Sequence, residues 1–328
     1  MICSNMQTAP TISPKSLRMS DASDPAPLSI RIKIAPINLA RAQRWGDYFF
    51  ACSLQLALRG RGHTVEIDAR DTWQDDTTPG GVDLVLRGFG GFQPIPDRTS
   101  LLWIISHPGN VKPDEMKEYD HVFTASARGQ RGLRRLLGRG RVSQLLQATD
   151  PAIMQPYDVT PDGSMLFVGV NRRGGRPALD MAERCGYDVA LWGKGWDQDP
   201  RFAPFLRGTY LPNDTLGQSY ASAGVVLNDH WRDMRANGLI SNRVFDVLAC
   251  GAPLLSDKVA GLPVALADWV YTFNDEESFR AGAEAALAEG PERRAERRAF
   301  AQTIRQDHSF AARAQTIETY ARAVQAKG

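Results

Sequence analysis

Residues 237–257 read NGLISNRVFDVLACGAPLLSD. From Asn242 to Cys250 the apolar Val244, Phe245 and Leu248 surround one carboxylate, Asp246. Asn242 and Asp246 are one helical turn apart and share a face. A glycine follows the helix, and APLLS then reads as a buried strand. Helix, turn and strand in this order belong to a parallel sheet covered on both faces. Asn242 and Arg243 stand at the helix N-terminus, where backbone N–H groups and the helix dipole attract phosphate. Asp246 lies one turn further in. A carboxylate inside an apolar helix needs a partner if buried, and either a diol or a neighbouring arginine would serve.

The same alternation extends outward in both directions. SMLFVGV, YDVALWG, GVVLND and WVYTF read as strands, separated by helices at RPALDMAERCG and PNDTLGQSYASA. DEESFRAGAEAALAEG, PERRAERRAFAQTIRQDH and SFAARAQTIETYARAVQ are helical to the end. Toward the start, SIRIKIAP, HTVEID, VDLVLRGF, LLWIIS and HVFTAS are strands. DYFFACSLQLALRGRG and the basic GQRGLRRLLGRG are helices, and VSQLLQ closes the set. PAIMQPYDVTPDGS, with three prolines and no apolar period, separates the two sets. The expected fold class is therefore α/β, with two Rossmann-like domains whose parallel sheets face across a cleft, followed by C-terminal helices. The expected boundaries are a disordered arm at 1–28, a first domain at 29–150, a linker at 151–163 and a second domain at 164–308. A final helix at 309–328 would pack back toward the first domain.

A chain of 328 residues is long enough for two ordinary domains. A net charge of +2, with 39 basic residues spread along the chain, gives no reason to expect nucleic acid. No apolar run approaches the roughly 20 residues of a membrane span. The basic helix GQRGLRRLLGRG would rest on an anionic membrane surface or form a solvated face, so membrane contact is expected to be peripheral at most. Cys3, Cys52, Cys185 and Cys250 form no C-x-x-C pair, and they read as reduced cysteines of a cytoplasmic protein. With five scattered histidines and no H-E-x-x-H, no metal centre is expected. No serine-hydrolase motif is present.

In a doubly wound domain the informative residues follow the strands. Asn171, Arg172 and Arg173 follow the first strand of the second set, beside Gly174, Gly175 and Arg176. Glycine next to guanidinium groups suits a diphosphate; it also suits a solvated loop. Gly193 and Trp196 follow the next strand, where the indole would either wall a base or sugar or sit in the core. DHWRDMRANGLIS is a polar segment after GVVLND, of a length often used for function.

SNRVFDVLACGAPLLSD resembles the donor-site signature of the GT-B glycosyltransferases of group 1, or family 4. Within that family it is similar to the spore-maturation-type enzymes, which show a Ser-x-Arg-x-Phe-Glu run here. FVGVNRR, LWGKGW, YLPNDTLGQSYASAGVVLNDHW and HSFAARAQTI fit the order and spacing of the family. The resemblance covers the chain from about Ile30 onward. It implies a nucleotide-diphospho-sugar donor, retaining transfer, and no cofactor or metal. The acceptor is open among saccharide, lipid-linked glycan and protein. Donor contacts would come from Asn171, Arg172, Arg173, Gly193, Trp196, Ser241, Asn242, Arg243 and Asp246. Two departures stand out: Asp246 is one methylene shorter than the family's glutamate, and Gly238 stands where a second glutamate is usual.

In the first domain Trp45, Gly46 and Asp47 join the first strand to its helix, and Arg87 ends a later strand beside Gly88, Gly90 and Gly91. These are the expected acceptor-side residues, with Asp47 also suited to capping its helix. His107 follows LLWIIS. A histidine before proline at a strand end often does no more than hold a turn. The resemblance implies more, a catalytic histidine that polarises or positions the transferred sugar. The same fold would also carry a sugar-nucleotide epimerase or hydrolase, or a non-catalytic nucleotide-sugar binder.

Overall fold

The computed structural model describes residues 25–43 and 45–327. Most of the arm expected at 1–28 lies outside the described residues. Of its end, Leu28 is buried, and its N–H donates to His63 Nδ1 at 3.3 Å.

The first sheet has six strands: β1 (Ser29–Lys33), β2 (Thr64–Asp68), β3 (Val82–Arg87), β4 (Thr99–Ile104), β5 (His121–Thr124) and β6 (Val142–Gln144). Its helices are α1 (Leu39–Ala42), α2 (Gly46–Arg59), α3 (Pro113–Lys117) and α4 (Ala127–Leu137). The strand order is β2-β1-β3-β4-β5-β6, with every pairing parallel. β3, β4 and β5 are buried at every residue, as strands covered on both faces must be. Helix α2 lays Phe50, Leu54 and Leu58, spaced one turn apart, onto this core. The fully buried Lys33 is neutralised in place: its Nζ lies 2.8 Å from Asp68 Oδ2 and 3.5 Å from Asp83 Oδ1.

The second sheet repeats the plan with β7 (Met165–Val168), β8 (Val189–Trp192), β9 (Leu206–Gly208), β10 (Val225–Asn228), β11 (Leu254–Asp257) and β12 (Val270–Phe273). The order is β12-β11-β10-β7-β8-β9, again parallel throughout. Around it run α5 (Pro177–Arg184), α6 (Asn213–Ser222), α7 (Arg232–Asn237), α8 (Asn242–Ala249), α9 (Val264–Ala267), α10 (Glu276–Leu287) and α11 (Pro291–Asp307). Each sheet reverses its order beside its first strand, at β1/β3 and at β7/β10. Crevices outside the carboxyl ends of such strands are where ligands bind in this class of sheet.

α11 packs on α8, whereas the last helix, α12 (Phe310–Gln325), packs on α2. Phe310, Ala314, Ile317 and Ala321 join the core of the first domain, and the Phe310 ring meets Phe50 edge-on at 4.7 Å. The two crossings of the chain between the domains are bonded to each other. Thr149 N–H donates to His308 O at 2.9 Å, and Phe310 N–H donates to Thr149 O at 3.1 Å. Arg313 donates from Nε to Leu146 O at 2.8 Å and from Nη2 to Gln147 O at 3.1 Å. Among the described residues no helix is long and apolar enough to cross a membrane.

Candidate active site

The carboxyl ends of both sheets open onto one cleft between the domains. Two cavities lie along it, of about 340 Å³ and about 210 Å³. Gly46, Phe50, Asn242 and Arg243 line both, so the N-terminus of α8 stands at their junction.

The larger cavity is bounded on the second domain by a network of strand-end side chains. Asp229 Oδ1 accepts from Arg172 Nη2 at 3.1 Å and from Arg176 Nη1 at 2.8 Å. Burial pulls the Arg176 guanidinium down to about 10, and its Nε and Nη2 also bond to Val170 O. Arg172 lies over the Trp231 ring, 4.2 Å from its centroid, and donates to His230 O at 2.8 Å. The His230 ring is fixed at both nitrogens. Nε2 accepts from the Ser241 N–H at 3.1 Å, so Nδ1 carries the hydrogen toward Asp257 Oδ1, 2.6 Å away. Asn228 donates to Ser256 Oγ at 2.8 Å and accepts from Ser241 Oγ at 3.2 Å.

Helix α8 enters the cleft without a side-chain cap of its own. Gln147, three residues past the end of β6, supplies one across the domain boundary. Its Oε1 accepts from the Asn242 N–H at 3.0 Å, while its Nε2 donates to Ile105 O in the first domain. Arg243 lines both cavities, yet its buried Nε–H has no protein acceptor. One turn on, Asp246 lines the smaller cavity with Asp150, Ser53, Tyr220 and Val168. Its Oδ2 accepts from Asn242 Nδ2 at 3.0 Å. Desolvation raises its carboxyl to about 7.

The first domain contributes Trp45, Gly46, Asp47, Phe89, Ser106 and His107 to the larger cavity. Asp47 sits in the first turn of α2, and the loss of water around it raises its carboxyl to about 6. His107 has φ 48°, a left-handed conformation uncommon outside glycine. Its ring is buried between Phe89 (centroids 4.3 Å apart) and Trp231 (4.8 Å). Burial lowers its pKa below the ordinary histidine value, more than nearby Asp233 raises it.

Five residues expected at the site lie elsewhere. Arg87 lines neither cavity: its guanidinium is spent on Glu115 (2.7 and 3.0 Å), Gly88 O and Asn110 O, so it pins the loop that carries His107. Trp196 is core, 1% exposed, with Nε1 donating to Gly169 O. Gly193 is required for packing rather than contact, because a Cβ there would lie 2.1 Å from Gly169 O. Asn171 is tied to the turn after β8 through Lys194 O and Gly195 O. Arg173 is exposed on the rim of its loop. Conversely, the structure brings in Gln147 and Asn228, and it gives places at the site to Asp229, His230 and Trp231, which the sequence marked only as part of a polar segment of functional length. Their shared signal is a polar or aromatic residue at or just past the carboxyl end of an apolar strand. Gly238 is the left-handed cap of α7 at φ 71°, and a Cβ there would stand 3.3 Å from both Gly261 N and Ser126 Oγ. The turn therefore strains any side chain at this position, a glutamate included.

Residues 172–319 match the family model described as glycosyl transferase-like. No curated protein matches the chain. Among solved structures, the sucrose-phosphate synthase of Thermosynechococcus elongatus is 13% identical with a TM-score of 0.65, over 92% of this chain and 100% of that one. AviGT4, a glycosyltransferase involved in avilamycin A biosynthesis, is 18% identical with a TM-score of 0.65, over 92% and 99%. HepE of Anabaena, solved in complex with UDP-glucose, is 11% identical with a TM-score of 0.61, over 90% and 100%. The chain thus has the two-domain fold of the GT-B glycosyltransferases, and its residues 172–319 carry the sequence pattern of the glycosyl transferase-like family.

Proposed function

We propose that the chain transfers a hexosyl or related sugar from a nucleoside-diphosphate sugar to an acceptor hydroxyl, with retention at the anomeric carbon. The observation that carries this reading is the junction at α8. One helix N-terminus lines two adjoining cavities, with an arginine network beside the larger and a carboxylate in the smaller. That arrangement matches a ligand with a diol at one end, two phosphates in the middle and a sugar at the other. Asp246 would accept the ribose hydroxyls. The N-terminal N–H groups of α8, with Arg172 and Arg243, would meet the diphosphate, and a free Arg243 Nε–H suits an anionic ligand. His107 would face the transferred sugar.

In the reaction the bond from the anomeric carbon to the diphosphate oxygen breaks. The acceptor oxygen bonds to the same face, and its proton leaves on the diphosphate. The groups proposed to meet the developing negative charge would be preset before the reaction, which is the general route to stabilising such a transition state. This reading uses guanidinium and N–H groups for that charge, so activity is expected to survive chelation of divalent metals. The spore-maturation-type subgroup suits Ser241, Arg243 and Phe245, with Asp246 in place of its glutamate. The test is a thermal-shift screen of nucleoside diphosphates and their sugar conjugates. A selective rise for one base is expected; no rise with any member of the set would remove the reading.

A further inference from the structure

His107 belongs to the first domain, yet the carboxylate facing it belongs to the second. Asp233 Oδ2 lies 3.5 Å from His107 Nδ1. Among the described residues Asp233 is the one polar side chain that meets a ring nitrogen of His107. The ring cannot tilt freely, because Phe89 and Trp231 flank it. Asp233 is held in place by its own short helix. α7 is docked on the first domain, where Ser126 Oγ donates to Asn237 O at 2.6 Å. Met234 and Leu239, on either side of that contact, are buried in a cluster built mainly from first-domain residues, including Val85, Ile104 and Val122. Asn237 Nδ2 donates to Asp233 O at 2.8 Å, which closes the turn. The left-handed Gly238 then turns the chain away.

We propose that Asp233 is a positioning residue for His107: it holds the Nδ1 side of the ring from across the domain boundary and leaves Nε2 for the transferred sugar. The correct tautomer then exists only while α7 is seated on the first domain, so domain apposition and the state of the histidine are one event. The claim that Nε2 meets a sugar rests on the glycosyl-transfer reading above. The claim that Asp233 sets the tautomer does not.

Two measurements test it. Nitrogen-15 NMR of the histidine rings of the full chain, with the His107 signal assigned from His107→Gln, reads the tautomer directly. The wild type is expected to hold hydrogen on Nδ1, and Asp233→Ala to lose that preference. An identical His107 signal in a folded Asp233→Ala protein overturns the proposal. The second measurement is kinetic. Asp233→Ala should lower kcat at least about tenfold with donor KM within about twofold, and Asp233→Glu should recover most of the rate. The groups facing His107 are Asp233, which raises its pKa, and Arg172 and Arg87, which lower it. Asp233→Asn should therefore move the limb of the kcat profile that belongs to His107 to lower pH. An unmoved limb, or a loss confined to KM, contradicts the proposal. If the wild type transfers no sugar at all, the proposed function fails, and the NMR result still decides the role of Asp233.

Discussion

Facing each other across the cleft, the two domains present different surfaces. On the second domain, the polar side chains at the strand ends are bonded to one another: Asn228 to Ser256, His230 to Asp257, and Asp229 to both Arg172 and Arg176. On the first, Trp45 and Phe89 stand 45% and 44% exposed, and the His107 ring lies between the rings of Phe89 and Trp231 with one carboxylate, Asp233, at its Nδ1. In the proposed reading, the contrast follows from what each surface would meet. Charges developing on a leaving diphosphate are best met by groups whose orientation is already fixed. A surface for an acceptor gains from aromatic faces that accommodate varied partners.

The sharpest way to break the comparison is at Asp229. Asp229→Ala leaves the Arg172 and Arg176 guanidinium groups without their shared counter-charge. Stability should fall by about 3–5 kcal/mol in chemical denaturation. A loss under about 1 kcal/mol would mean that the second wall is not a network. Next is His107→Ala on the opposite wall. It should lower kcat by about a hundredfold and leave nucleoside diphosphate affinity unchanged. A matching loss of affinity would place the ring on the nucleotide instead. Asp246 probes the junction between the walls. Its pKa is raised by burial, so the folded state binds more protons than the unfolded one between about pH 4, the ordinary carboxyl value, and about pH 7. Stability should fall as pH rises through that window. Asp246→Asn should therefore stabilise the ligand-free protein at pH 8, on the order of 2 kcal/mol, with the gain vanishing below about pH 4. A destabilised variant at pH 8 would show that the carboxylate is needed by the fold. The smallest effect belongs to Arg173→Ala: less than about 0.5 kcal/mol in stability and no change in nucleotide affinity.

All strands but β9 were legible in the sequence because a strand buried on two faces is a short apolar run, as in VDLVLR and VVLN, whereas β9 is a three-residue strand with no buried residue and carries no such run. α8 was legible for a related reason: one carboxylate in an apolar helix stands out. The rest of the site resisted reading because its residues are defined by what they meet. Arg87 and Arg172 look alike in sequence, each at or just after a strand end. Glu115, contributed by α3, holds one away from the cleft, whereas Asp229 holds the other at its wall. Gln147 carries no motif, and its role as the cap of α8 exists only once the two domains meet. Trp196 followed a strand as a ligand-binding indole would, but the turn after β8 folds it inward onto Gly169 O.

The most direct test of the account uses the ligand's own diol. Calorimetry would compare a nucleoside diphosphate with its 2′-deoxy form, on the wild type and on Asp246→Asn. The account predicts that removing either the hydroxyl or the carboxylate costs about 1–3 kcal/mol of binding, and that removing both costs little more than one alone. Two independent, additive losses, or an affinity indifferent to Asp246, would contradict it.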